Sequence, residues 1–156
     1  MLKKVHCLAL VFWVVATSMS WSQESNKVSL GKVFVEGLSV YQAEQILRLV
    51  LRHEGFKLDM PRMSIERGLA DEKGRRFIQE HFDFHLYYSN PNAGALSNLG
   101  FFIVNQKNGD VWEFHSCKRF VFPALQRLQE DIVKQTGVLL IEEKVQRKRL
   151  GCADED

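Results

Sequence analysis

Cysteine, proline and charge of one sign are all scarce in this chain, which has three cysteines and three prolines among 156 residues. The 21 Lys and Arg face 19 Asp and Glu, and Lys3 and Lys4 account for the whole excess. A balanced charge sets up no field that would gather nucleic acid or an anionic membrane surface, so neither is expected as a partner. No apolar run reaches the roughly 20 residues that cross a hydrocarbon core, so no permanent membrane anchor is expected. Asn-x-Ser/Thr sequons are absent, which favours a bacterial periplasm over a eukaryotic secretory route. Motifs that name a reaction are also missing. Ser97 lies outside a Gly-x-Ser-x-Gly elbow, and Gly94 and Gly100 have neither the spacing nor the lysine of a phosphate loop. No cofactor and no enzymatic activity are expected.

The longest apolar run is Cys7–Met19, preceded by Lys3 and Lys4 and followed by Ser20-Trp21-Ser22. Positive start, short apolar middle and small residues at the end predict a cleavable export signal over residues 1–22, with Ser18-Met19-Ser20 as a competing cut. The address is then the periplasm. Cys117 and Cys152 would remain in an oxidising compartment, where they either bridge or stay as two free thiols. The rest reads as a flexible leader over 23–32, one α+β domain over 33–150 and an acidic tail over 151–156.

Periodicity supplies the elements. Val33–Val35 is a candidate strand. Ser39 and Gln42 have the spacing of a capping box, and Ala43, Ile46, Leu47, Val50 and Leu51 form a helical stripe that stops at Gly55. Phe56–Met60 and Met63–Ile65 read as strands, and Gly68–Arg75 as a turn or mobile loop. Over Phe77–Tyr88 the residues alternate: Phe82, Phe84, Leu86 and Tyr88 on one face; His81, Asp83, His85 and Tyr87 on the other. Leu99–Asn105 and Asp110–His115 make a hairpin about Asn108-Gly109. A second helix starts at Pro123 and ends at Gly137. Residues 138–150 fit either a last strand or a helix. The expected architecture is an antiparallel sheet of about four to five strands, a helix packed on one face and a second helix after the sheet.

Three constellations have chemical content. His81, Asp83 and His85 share a strand face and suit zinc or iron, with His115 as a further ligand; a merely wet sheet face is the plainer explanation, and no metal is expected. Cys117 with His115 would make a nucleophile if the thiol were free. The segment Ser89–Asn98 is small, polar and uncharged beside Tyr87 and Tyr88. Rigid tyrosines next to adaptable amides suit protein recognition, so Tyr87, Tyr88, Asn90, Asn92, Ser97 and Asn98 form the candidate partner-binding surface; a floppy hairpin loop is the plain alternative. Trp112, Phe114 and Phe120 either extend an aromatic surface or fill the core.

The stretch Gly100–Glu113, Gly-Phe-Phe-Ile-Val-Asn-Gln-Lys-Asn-Gly-Asp-Val-Trp-Glu, resembles the strand–turn–strand of PepSY-like and NTF2-like small exported domains, with Asn108 where Thr is usual. Some of these resemble periplasmic immunity proteins that neutralise cell-wall-degrading effectors of the type VI secretion system. The resemblance implies a sheet-and-helix inhibitor that docks on a protein partner, with such a secreted effector as the candidate. It carries over no catalytic residue. The alternatives are a small metal-dependent hydrolase built on His81, Asp83 and His85, or an envelope structural or assembly factor.

Overall fold

A computed structural model describes residues 29–68, 77–90, 92 and 94–152. The expected export signal, and the tail beyond Cys152, lie outside the described residues. So do 69–76, most of the Gly68–Arg75 loop.

The first helix, α1 (Val40–His53), starts as its sequence dictates: Ser39 accepts from the Gln42 N–H, and the Gln42 side chain accepts from the Ser39 N–H. The same Gln42 amide donates to the carbonyls of Leu30 and Lys32, which ties the end of the expected leader onto the helix. Five strands follow: β1 (Met63–Arg67), β2 (His81–Asn90), β3 (Ala95–Asn105), β4 (Val111–Glu113) and β5 (Lys118–Arg119). They form one antiparallel meander in chain order. Helices α2 (Pro123–Thr136) and α3 (Glu143–Arg149) close the chain. This is the expected α+β arrangement.

The sheet is covered on both faces, unequally. On one, the α1 stripe and Leu125 and Ile132 of α2 bury Phe82, Phe84, Leu86, Phe102, Val104 and Val111. On the other, Phe101, Ile103 and Trp112 pack with Leu150 at the end of α3. The disulfide between Cys117 and Cys152, with Cα atoms 6.0 Å apart, staples the end of α3 to the β4–β5 turn. Arg147 adds a hydrogen bond to the Cys117 carbonyl at 3.0 Å.

The Asn108-Gly109 turn is fixed from both sides. The Asn105 carboxamide accepts from the N–H groups of Lys107 and Asn108. The α2 side donates Gln129 to the Gly109 carbonyl and the Thr136 hydroxyl to the Lys107 carbonyl. Gly109 has φ +71°, and an added Cβ would sit 2.7 Å from Cδ1 of Ile132. Both the backbone angle and the packing therefore demand glycine.

Several expectations need correction. Val33–Val35 is no strand but enters a tight turn, in which the Gly37 N–H returns to the Phe34 carbonyl at 2.8 Å. Phe56–Met60 is also turn: Phe56 N–H caps α1 through the Leu51 carbonyl, and Met60 N–H bonds locally to Lys57. With those donors spent locally, no ladder forms. β2 starts at His81 rather than Phe77. Residues 138–142 are irregular and the helix alternative is the one realised, from Glu143. The largest change concerns Ser89–Asn98. Most of it is strand, because β2 runs to Asn90 and β3 begins at Ala95.

Candidate functional site

The row His81, Asp83, His85 does share one face, but each group is engaged separately. The His81 Nδ1–H donates to the Gln79 carbonyl at 2.7 Å, which leaves Nε2 to accept from Asn105 Nδ2 at 3.3 Å and Gln146 Nε2 at 3.4 Å. His81 thereby joins β2, β3 and α3. Burial depresses its pKa below the usual value of 6.5, against the opposing pull of the Gln79 hydrogen bond and the charges of Asp110 and Glu80. Asp83 lies against the backbone of Gly68, where a Cβ would stand 1.4 Å from its Oδ2. His85 is stacked on Phe101, ring centroids 4.5 Å apart and planes 5° apart, and on Tyr87 at 5.7 Å. Among the described residues no group of three or more His, Cys, Asp or Glu side chains is placed to hold a metal ion. The face is not simply wet either, since His81 and Asp83 are buried.

Cys117 is bridged, so its sulfur is no free nucleophile. It follows His115 in the turn between β4 and β5, held at its base by Glu113, which accepts from the N–H and hydroxyl of Ser116 and from the Phe101 N–H. Burial works against the charge of Glu113, but these donors and the His115 N–H outweigh it and lower the pKa. Trp112 is fully buried, with its indole N–H on Asp110 at 3.0 Å, and Asp110 also pairs with Arg119 at 2.8 Å. Phe120 belongs to the helix-side core.

Beside Leu150 at the end of α3, the second face carries an aromatic floor, in which Phe101 is buried. Phe77, Phe101 and Phe114 meet with centroids 5.3–5.5 Å apart, and His115 lies 5.6 Å from Phe101. Phe77 is 65% exposed. The sequence reading did not group these residues, because three separate segments contribute them.

From this floor the β2–β3 hairpin projects. Its register pairs Tyr87 with Asn98, Tyr88 with Ser97, Ser89 with Leu96 and Asn90 with Ala95. A β-bulge follows, where Tyr87↔Asn98 gives way to Leu86↔Gly100 and Leu99 is the extra residue. The Asn98 side chain accepts from the Gly100 N–H at 3.0 Å and braces the bulge; Asn90 likewise accepts from the Asn92 N–H at 3.0 Å at the tip. The candidate recognition residues are thus brought together, but on two faces. Tyr87 and Asn98 face the His85 side, with Leu96 beside them, whereas Tyr88 and Ser97 face the other. Leu96, absent from the sequence-based set, is 57% exposed, and Leu99 is 41% exposed. No helix among the described residues is long and apolar enough to cross a membrane.

Comparison with known proteins agrees with this architecture. A family model described as type VI secretion system immunity protein Tgi2PP matches residues 37–144. A chain from the structure of a type VI secretion system effector–immunity complex of Pseudomonas protegens is 41% identical and superposes with a TM-score of 0.74; the match covers 81% of this chain and 100% of that one. No curated protein sequence matches. The chain belongs to the Tgi2PP family of type VI secretion system immunity proteins.

Proposed function

We propose that this protein is a periplasmic antidote that binds and neutralises a cell-wall-degrading effector, with the β2–β3 hairpin and the adjoining aromatic floor as its docking surface. The observation that carries the reading is the relative from Pseudomonas protegens, solved within an effector–immunity complex and matched along its whole length. The expected export signal over residues 1–22 supports the address, since an antidote to a wall-degrading enzyme must work where the wall is. The arrangement of His81 supports binding rather than turnover, since both of its ring nitrogens are held by structural hydrogen bonds to Gln79, Asn105 and Gln146.

The hairpin fits a docking role physically. Tyr87 and Tyr88 present large rigid surfaces at small entropy cost, and Asn92, Ser97 and Asn98 supply hydrogen bonds that adapt to a partner. Its exposed residues are uncharged, so they are desolvated more cheaply than ion pairs would be.

The test is inhibition by titration. The protein should abolish the wall-degrading activity of its cognate effector at one equivalent. The triple variant Tyr87→Ala/Asn92→Ala/Asn98→Ala should weaken binding by about a hundredfold or more, as loss of an anchor at an interface centre does. Full inhibition by the triple variant would place docking elsewhere, and no inhibition by the wild-type chain would end the reading.

A further inference from the structure

We infer that the free edge of β3, at Leu96 and Asn98, accepts an extended backbone segment of the effector as an added strand; this rests on the effector-binding reading above. The register fixes which backbone groups are free of partners among the described residues. Gly68 N–H donates to the Asp83 carbonyl and Ser89 N–H to the Arg62 carbonyl, both at 3.0 Å, so odd-numbered residues of β2 face β1. Even-numbered residues therefore face β3, and their partners Ser97, opposite Tyr88, and Ala95, opposite Asn90, turn their N–H and C=O inward. Leu96 and Asn98 turn theirs outward. β4 does not reach them: it pairs only with Phe102, Ile103 and Val104.

Exposed edges invite unwanted pairing, and proteins blunt them with charge or brevity. The outer strands of this sheet follow that rule. β1 carries Glu66 and Arg67, and β5 is only two residues, Lys118 and Arg119. The open part of β3 breaks it, reading Ala-Leu-Ser-Asn-Leu with no charge and no proline. The bulge at Leu99 ends the open stretch and increases the local twist, so the edge turns away from β4. The bulge guards this edge at one end only; the Leu96 and Asn98 positions before it carry neither charge nor proline and leave room for an added strand. The effector supplies that strand because the matched relative forms its complex with an effector, and because the Leu96 and Asn98 side chains share the face of Tyr87. In strand addition, main-chain bonds supply affinity and alternate side chains supply specificity.

The discriminating pair is Leu96→Pro against Leu96→Ala. Proline deletes the outward N–H, and edge strands tolerate it at such positions; alanine removes only the side chain. Against the cognate effector, Leu96→Pro should raise Kd at least about tenfold more than Leu96→Ala does. In parallel, hydrogen exchange on the wild-type complex should show the Leu96 and Asn98 amides newly protected, a readout independent of whether the proline variant folds fully. Tight wild-type binding with these amides unprotected would overturn strand addition and leave the antidote reading standing. Absence of wild-type binding would overturn both. A wild-type dimer in light scattering that Leu96→Pro converts to monomer would assign the edge to a second copy and overturn the effector assignment.

Discussion

The two halves of β3 are built for opposite purposes. From Phe101 to Asn105 the strand is buried, paired with β2 on one side and β4 on the other, with a helix layer above and the α3 cover below. From Ala95 to Leu99 it is exposed and, among the described residues, has β2 as its single neighbouring strand. The composition follows the environment: Phe-Phe-Ile-Val-Asn in the first case, Ala-Leu-Ser-Asn-Leu in the second. The bulge at Leu99 separates them. One half supplies stability, and the other holds a surface that stability does not require.

The comparison can be broken at its strongest point first. Trp112 lies opposite Ile103 and its indole N–H bonds to Asp110. Trp112→Ala should cost about 4–5 kcal/mol, measured by urea unfolding, because it opens a cavity and leaves Asp110 without one partner. Joint replacement Cys117→Ser/Cys152→Ser removes a 35-residue closure and should cost about 3–4 kcal/mol in the chain-entropy account. Hydrogen exchange should then rise first in α3 rather than in the hairpin. Gly109→Ala, facing a positive φ and Ile132 together, should cost about 2 kcal/mol.

Acid should act on the buried half alone. The folded state holds His81 neutral, with a pKa below the usual 6.5, so the unfolded chain binds the extra proton. Its stabilisation is complete above about pH 6.5 and is lost as pH falls through the folded pKa. Protonation would also turn Nε2 from acceptor into donor and oppose the amides of Asn105 and Gln146. His81→Gln should therefore be less stable at neutral pH, with a flatter stability curve between about pH 6.5 and 5 in denaturation experiments. The smallest effect belongs to the exposed half. Leu96→Ala should change stability by less than about 0.5 kcal/mol, as exposed sites do. A loss as large as at Trp112 would erase the distinction.

Much of this fold was legible from residue patterns. The capping box at Ser39 and Gln42, the α1 stripe, the alternation of Phe82, Phe84 and Leu86, and the stop at Gly137 act through local geometry, and all appear. The failures share a cause. Asn, Ser, Ala and Gly favour loops when read alone, yet β3 begins at Ala95 because a long β2 lies beside it as a template. Conversely, Val138, Leu139 and Leu140 suit a last strand as well as a helix, but among the described residues no strand pairs with them and Leu139 is 73% exposed. The candidate recognition residues stand out by composition around Tyr87 and Tyr88. Their division between two faces, and the addition of Leu96, required the register. The aromatic floor was invisible because Phe77, Phe101 and Phe114 meet only in three dimensions.

The most direct measurement is a crystal structure of this protein with its effector. The account predicts the effector seated on the β2–β3 hairpin, with Tyr87 and Asn98 inside the interface and an effector strand bonded to the backbone of Leu96 and Asn98. An effector docked over the α1 and α2 surface, with the hairpin left in solvent, would contradict it.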